Sequence, residues 1–289
     1  MIDRIEKQGN LLIYYISKDY DNAHLENVMN TNLKREDTQT IIDHDADVYG
    51  DPEGKKLLLR FRKKQLTDDN VKLFYDNVIR FAMNKSSNRG SASGSKTKNI
   101  FQNPKIMSNI IGYYDKFSPS QKFKLRRMGK TIPKITVRKT QFVEMYPERF
   151  ERTFPLIQEI DNLYEQIVPD NHAKQKQKAT ETSYHIAGTS FTTATLNVNY
   201  QTTVHKDQGD SGFGNLIVIE HGSYLGGETC FPQYGIGVDV RTNDILFMDV
   251  HEPHGNLPIE LQSADAKRLS IVCYLRMSIW KQTRQKSEE

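Results

Sequence analysis

Two histidines and an aspartate toward the C-terminal end of the chain have the residue types and the spacing of a metal site. His205 and Asp207 stand two residues apart, and His254 follows directly after Pro253. Two imidazoles and one carboxylate can bind iron(II) by one face and leave its other coordination positions open. These residues therefore predict a mononuclear iron(II) site of the kind that oxygenases use.

The two-residue spacing has a mechanical reason if the first two ligands lie on a β-strand. Alternate residues of a strand project to the same side, so His205 and Asp207 would point together. The third ligand must then come from a strand that is distant in sequence. His254 lies just beyond the apolar run 244–250, which we interpret as such a strand. His251, in the same stretch, is the alternative third ligand.

Arg268 and Ser270 form a candidate anchor for an anionic co-substrate. They share one face of a predicted strand over residues 268–275. A guanidinium beside a hydroxyl on a rigid strand can hold a carboxylate through charge-assisted hydrogen bonds.

A further predicted strand, residues 195–204, alternates polar and apolar side chains. If it runs unbroken, Asn197 and Asn199 lie on the same side as His205, and either amide could bind the co-substrate or the substrate. A turn at residues 201–203 would instead reset this register.

Taken together, these motifs resemble the iron(II)- and 2-oxoglutarate-dependent dioxygenases that have a double-stranded β-helix. Within that superfamily, residues 189–280 are most similar to the thymine and methylcytosine oxidases, the group of the base J-binding proteins and the ten-eleven translocation enzymes. The matching residues are Asn199-Tyr200, His205, Asp207, Gly209-Asp210, Gly226-Gly227-Glu228-Thr229-Cys230-Phe231-Pro232, Tyr234-Gly235-Ile236-Gly237-Val238-Asp239-Val240, His254-Gly255-Asn256 and Arg268-Leu269-Ser270.

The resemblance implies a role for each of these site residues. His205, Asp207 and His254 would ligate iron(II), because the histidine after the proline carries the metal in this family pattern. Arg268 would pair with the distal carboxylate of 2-oxoglutarate, with Ser270 as a second donor and Asn199 as a further cofactor-binding residue. Dioxygen would be the second co-substrate. His251 is then assigned to the surroundings of the metal or to the surface.

The distribution of charge suggests a nucleic-acid partner. Residues 116–139 carry nine lysines and arginines and no acidic residue, with two phenylalanines interleaved, although the net charge of the whole chain is only +4. Such a stretch can neutralise phosphates and place an aromatic ring near a base, and it is also compatible with a solvated basic surface. We selected Arg126 and Arg127 as substrate-binding residues, with DNA as the expected partner.

The N-terminal half contains recognisable elements but no catalytic motif. Residues 10–16 and 56–62 are predicted strands, and residues 67–83 a helix with an apolar stripe. The polar segment 84–99 fits a flexible connector, or a loop over the active site in which Arg89 would contact phosphate. A second helix is predicted after Tyr146 and ends before Pro169.

The expected architecture is an α+β protein with a jelly-roll core. We predicted an N-terminal α/β region over 1–145 that packs on the core and shapes the substrate groove. The double-stranded β-helix would cover 146–280, with supporting helices, and a charged tail 281–289.

Composition restricts the class of protein further. Hydrophobic residues make up 37% of the 289, which is typical of a folded domain, and no apolar stretch is long enough to span a membrane. The first seven residues lack the apolar core of a signal peptide, so we expect an intracellular protein, in the cytoplasm or nucleus. Cys230 and Cys273 fall in predicted strands and are expected to be reduced core residues.

The expected activity is hydroxylation of the methyl group of thymine or methylcytosine in DNA. Hydroxylation of a prolyl, lysyl or other residue of a protein is the alternative, because it uses the same iron site. A DNA-binding module with an inactive oxygenase core is a third reading, and the intact set of ligands argues against it.

Overall fold

The computed structural model describes residues 1–86, 104–117 and 119–285. Its strands are β1 (Ile2–Gln8), β2 (Leu11–Ile16), β3 (Thr40–Ile42), β4 (Ala46–Tyr49), β5 (Leu57–Arg62), β6 (Ser108–Tyr114), β7 (Arg138–Lys139), β8 (Thr193–Val198), β9 (Asp210–His221), β10 (Tyr224–Gly226), β11 (Thr229–Phe231), β12 (Ile236–Val238), β13 (Ile245–Met248), β14 (Gly255–Asn256), β15 (Ile259–Leu261) and β16 (Lys267–Arg276). Its helices are α1 (Asn22–Val28), α2 (Asp68–Ala82), α3 (Pro119–Arg127), α4 (Gln141–Met145), α5 (Pro147–Glu151), α6 (Phe154–Ile167), α7 (Pro169–Thr180) and α8 (Met277–Thr283). The protein is α+β, as predicted.

Two sheets form the centre of the molecule. The larger has ten strands in the order β1-β2-β4-β5-β13-β9-β16-β8-β6-β7, and the smaller has four in the order β14-β11-β12-β3. A separate pair, β10-β15, lies beside them. Neighbouring strands are antiparallel except for β2 with β4 and β3 with β12, which run parallel.

The central strands of the ten-stranded sheet are buried on both faces, as strand β9 illustrates. Ile217 and Ile219 pack with the apolar faces of helices α2, α4, α5 and α6. Leu216 and Val218, of the opposite parity, pack with Phe231 and other residues of the smaller sheet. Alternate residues of a strand point to opposite faces, so one segment contributes to both cores.

The predicted N-terminal elements are present and belong to the same sheets as the C-terminal strands. Strands β1, β2, β4 and β5 extend the larger sheet beyond β13, and β3 pairs with β12 of the smaller one. Helix α8 continues through Thr283, past the predicted start of the tail at 281. Within the described ranges, the structure has no helix with the length and apolar character needed to cross a membrane.

Two local predictions differ from the structure. Strand β8 ends at Val198, because Asn199 adopts a left-handed conformation with φ of 46°. Pro169 ends helix α6 as predicted, but it also begins helix α7, where the missing N–H of a proline costs nothing.

Candidate metal and co-substrate site

The structure brings the three predicted metal ligands together. One donor atom from each of His205, Asp207 and His254 lies within 4.8 Å of the other two. The Nε2 atom of His205 is 3.8 Å from Oδ1 of Asp207, and Nε2 of His254 is 3.8 Å from Oδ2 of the same carboxylate. Two neutral nitrogens and one anionic oxygen thus converge on one point, as a facial binding site for a divalent metal requires.

Backbone pairing explains how residues so distant in sequence meet. His205 and His254 form an antiparallel bridge in which each N–H donates to the other's carbonyl oxygen, at 2.9 and 3.0 Å. The N–H of Asp207 donates to the carbonyl oxygen of Val250 at 2.9 Å. The segment that carries the first two ligands is therefore attached to the turn that carries the third.

A backbone carbonyl orients each imidazole. Nδ1 of His205 lies 2.7 Å from the carbonyl oxygen of Thr203, and Nδ1 of His254 lies 2.9 Å from that of Glu252. A carbonyl oxygen can only accept, so we assign the ring proton to Nδ1 in both residues. The lone pair is then on Nε2, the atom that faces Asp207 in each case.

His251 lies outside this cluster. Its Nδ1 is 3.0 Å from a carboxylate oxygen of Asp249, and its Nε2 is 3.2 Å from the carbonyl oxygen of Asp210. The side chain is exposed. Of the two candidate third ligands, His254 is the one that the structure places beside His205 and Asp207.

A cavity of about 270 Å³ opens next to the three ligands, and Arg268 and Ser270 line it. Arg268 is only 4% exposed, and within the described residues it forms no ion pair with a carboxylate. Burial lowers the pKa of its guanidinium. A buried cation without a counter-ion is costly, so this end of the cavity is prepared for an anion.

One face of strand β16 forms a wall of the cavity. Arg268, Ser270, Val272, Tyr274 and Arg276 all line it, in keeping with their shared parity. We predicted only the first two of these residues. The alternation that paired Ser270 with Arg268 extends to the others and could have identified them from the sequence.

Comparison with known proteins agrees with this geometry. Residues 110–277 match the family model Tet_JBP, described as the oxygenase domain of the 2OGFeDO superfamily, that is, of the 2-oxoglutarate- and iron(II)-dependent dioxygenases. The chain belongs to this family. The family that the motifs indicated is therefore confirmed.

Individual relatives of this Tet_JBP domain match different shares of the chain. A bifunctional helicase and thymine dioxygenase JBP2 of Leishmania tarentolae is 32% identical over 60% of the chain, and a thymine dioxygenase JBP1 of Trypanosoma brucei brucei is 29% identical over 71%. The matches span only 15% and 22% of those proteins. The structure of NgTET1 in complex with 5mC DNA shares the fold, with a TM-score of 0.55 at 13% identity over 92% of this chain and 93% of that one.

In this Tet_JBP domain, the side chain of Asn199, which we expect to bind the cofactor, instead forms hydrogen bonds with the backbone. Its Oδ1 accepts a hydrogen bond from the N–H of Arg268 at 2.7 Å, and its Nδ2 donates to the carbonyl oxygen of Ala266 at 2.9 Å. The side chain is not part of the cavity lining, whereas Asn197 is. The left-handed turn at Asn199 explains the difference, because it breaks the alternation that would have carried this amide to the cavity. Asn199 therefore holds the beginning of strand β16.

Two of the three predicted DNA-contacting residues are described by the structure. Arg126 and Arg127 are exposed at the end of helix α3, and neither lines the cavity. Arg89 lies outside the described residues, as does most of the polar segment 84–99. The basic segment 116–139 nevertheless begins next to a residue tied to the cavity wall, because Asp115 accepts a hydrogen bond from Nε of Arg276 at 2.9 Å.

Proposed function

We propose that this chain uses iron(II) and 2-oxoglutarate to hydroxylate the methyl group of thymine or methylcytosine in DNA. The observation that carries the proposal is the cavity. Its lining contains the His205, Asp207 and His254 donors together with the buried Arg268, which forms no ion pair with a carboxylate among the described residues. A metal site and a separate carboxylate site in one small cavity are what a metal-chelating oxo-dicarboxylate requires.

The strand order supports a double-stranded β-helix as the core. Strands β8-β16-β9-β13 are consecutive in the larger sheet, and β14-β11-β12 are consecutive in the smaller one. The bridge between His205 and His254 adds the ligand segment next to β14. Four strands would then face four others, with the metal ligands on the edge segment of the smaller sheet and the turn before β14.

The residues present fit both cofactors in their chemistry. His205, Asp207 and His254 would hold iron(II), and Arg268 with Ser270 would hold the distal carboxylate of 2-oxoglutarate. When bound, the pair couples decarboxylation of 2-oxoglutarate to succinate with transfer of one oxygen atom of dioxygen into a C–H bond. The carbonyl groups that orient both imidazoles would keep the ligand set in place.

Relatives and charge support a base in DNA as the substrate. Two of the relatives are described as thymine dioxygenases, and the similar fold of NgTET1 was solved with 5mC DNA. In this chain, the segment 116–139 combines nine cations with Phe123, which is 67% exposed. A methyl group inside a duplex cannot reach an enclosed metal, so the base would have to leave the stack at a cost of a few kcal/mol. Tyr274 and Arg276 in the cavity wall offer an aromatic ring and a hydrogen-bond donor to such a base.

The decisive experiment is incubation of the iron-loaded protein with 2-oxoglutarate and DNA, followed by nucleoside mass spectrometry. One DNA should contain thymine without methylcytosine, and a second should contain methylcytosine. We expect a hydroxymethylated base with one succinate per hydroxylation, and no product from the His205→Ala variant. Absence of an oxidised base, with a hydroxylated peptide from a protein substrate instead, would transfer the assignment to the protein hydroxylases.

A further inference from the structure

The turn that carries His254 is anchored by a buried carboxylate, that of Glu252. This residue is 8% exposed and stands two positions before the histidine. Its backbone carbonyl oxygen accepts the hydrogen bond from Nδ1 of His254, at 2.9 Å. Glu252 therefore orients the metal ligand His254 through its backbone carbonyl oxygen, while its side chain is buried in the protein interior.

Two lysines from the N-terminal region hold that side chain. Nζ of Lys56 donates a hydrogen bond to Oε1 of Glu252, and Nζ of Lys18 lies 3.2 Å from Oε2. Lys18 also donates to Oε1 of Gln233 at 3.2 Å, so its position is fixed as well. Both lysines lie outside residues 110–277, the part of the chain that matches the family model.

The same turn is fixed at its other end. The N–H of Asp249 donates to the carbonyl oxygen of Leu58 in strand β5 at 2.8 Å. The carbonyl oxygen of Val250 accepts from the N–H of Asp207, so the turn supports a second ligand too. A shift of this turn would move His254 and Asp207 relative to each other.

We propose that Glu252 is a positioning residue for the metal site and that Lys18 and Lys56 act on the metal through it. This inference rests on the proposed function, because it assigns the metal to His205, Asp207 and His254. Groups that hold metal ligands in orientation contribute about 10- to 100-fold to metal affinity. Because the two lysines act one step further away, through the Glu252 side chain and its backbone, we expect an effect of about tenfold, at the lower end of that range.

The test is a titration of the metal-free protein with iron(II) under anaerobic conditions, in the wild type and in Glu252→Gln. Glutamine keeps the size of the side chain and removes the charge that both lysines bind. We expect the Kd for iron(II) to rise about tenfold, while the Kd for 2-oxoglutarate at saturating metal stays unchanged. Glu260→Gln, on exposed strand β15, is the matched control and should leave both constants unchanged.

A second variant separates positioning from stability. Lys18→Met with Lys56→Met should reproduce the weaker iron binding, whereas Lys55→Met, whose side chain is 80% exposed, should not. A lower melting temperature with an unchanged iron Kd in both variants would show that the cluster is merely structural and would overturn the inference. Failure of the wild type itself to bind iron(II) would instead refute the proposed function.

Discussion

Replacement of Arg268 by methionine should have opposite effects on stability and on co-substrate binding. The guanidinium is 4% exposed and makes no ion pair within the described residues, so in the free protein its charge is buried without a carboxylate in contact with it. Methionine fills a similar volume without a charge. The free Arg268→Met protein should therefore melt at or above the temperature of the wild type.

The affinity of the Arg268→Met variant for 2-oxoglutarate should fall. Removal of a buried, hydrogen-bonded partner of a carboxylate costs about 3 kcal/mol, which is roughly a hundredfold in Kd. At a co-substrate concentration of 100 times the wild-type Kd, the wild type gains about 2.7 kcal/mol of stability, or roughly 5 °C in Tm. The variant would gain only about 0.4 kcal/mol, or roughly 1 °C, at that concentration.

Thermal melting with and without 2-oxoglutarate measures both effects, with manganese(II) as a metal that does not turn over. Arg241→Met is the matched control, because Arg241 is ion-paired with Glu220 and Asp239 and is only partly buried. That variant should melt lower and keep the co-substrate shift. The reasoning fails if Arg268→Met keeps the full 5 °C shift, or if its free form melts well below the wild type.

Three further predictions concern DNA binding, the thiols and a glycine. Arg126→Ala with Arg127→Ala should reduce the slope of log K against log salt for DNA binding by about 2, measured by fluorescence anisotropy; an unchanged slope would remove helix α3 from the interface. Burial raises the pKa of Cys230 to about 12 and also raises that of Cys273, so neither thiol should react with Ellman's reagent at pH 8 until the protein is unfolded. Gly226→Ala should cost about 3 kcal/mol or more in urea unfolding, because φ is +78° and the added Cβ would lie 1.9 Å from a carbonyl oxygen; a cost under 1 kcal/mol would contradict this.

The metal ligands could be predicted from a local rule. The rule that a strand places residues two apart on the same side selected His205 and Asp207. The structure has only an isolated bridge at His205 and no regular strand over residues 205–207, so the backbone contacts of this segment with the turn before β14 hold the two ligands instead. His205 and His254 are brought together by backbone hydrogen bonds between segments distant in sequence. The spacing of residues along the chain does not predict such long-range pairing. The choice of His254 over His251 therefore depended on the family pattern, and the structure explains it by the bridge that only His254 forms.

The position of Asn199 outside the cavity lining has a different origin. Parity predicts the direction of a side chain only while the strand continues, and a left-handed residue ends it. Asparagine tolerates the left-handed conformation better than most residues. The presence of an asparagine alone does not predict that the backbone adopts this conformation. Strand β16 is the converse case, because its alternation persists to Arg276 and we applied it to only two of its residues.

The N-terminal strands have a consequence for the independence of the catalytic segment. Strand β5 pairs with β13 over four residues, from Ile245 to Met248, and all four of these side chains are buried. A fragment limited to 110–277 would keep every ligand and the co-substrate anchor but would turn β13 into a naked apolar edge, which is prone to aggregation. Strand β5, which lies outside the segment 110–277 that matches the family, therefore covers an apolar edge of that segment.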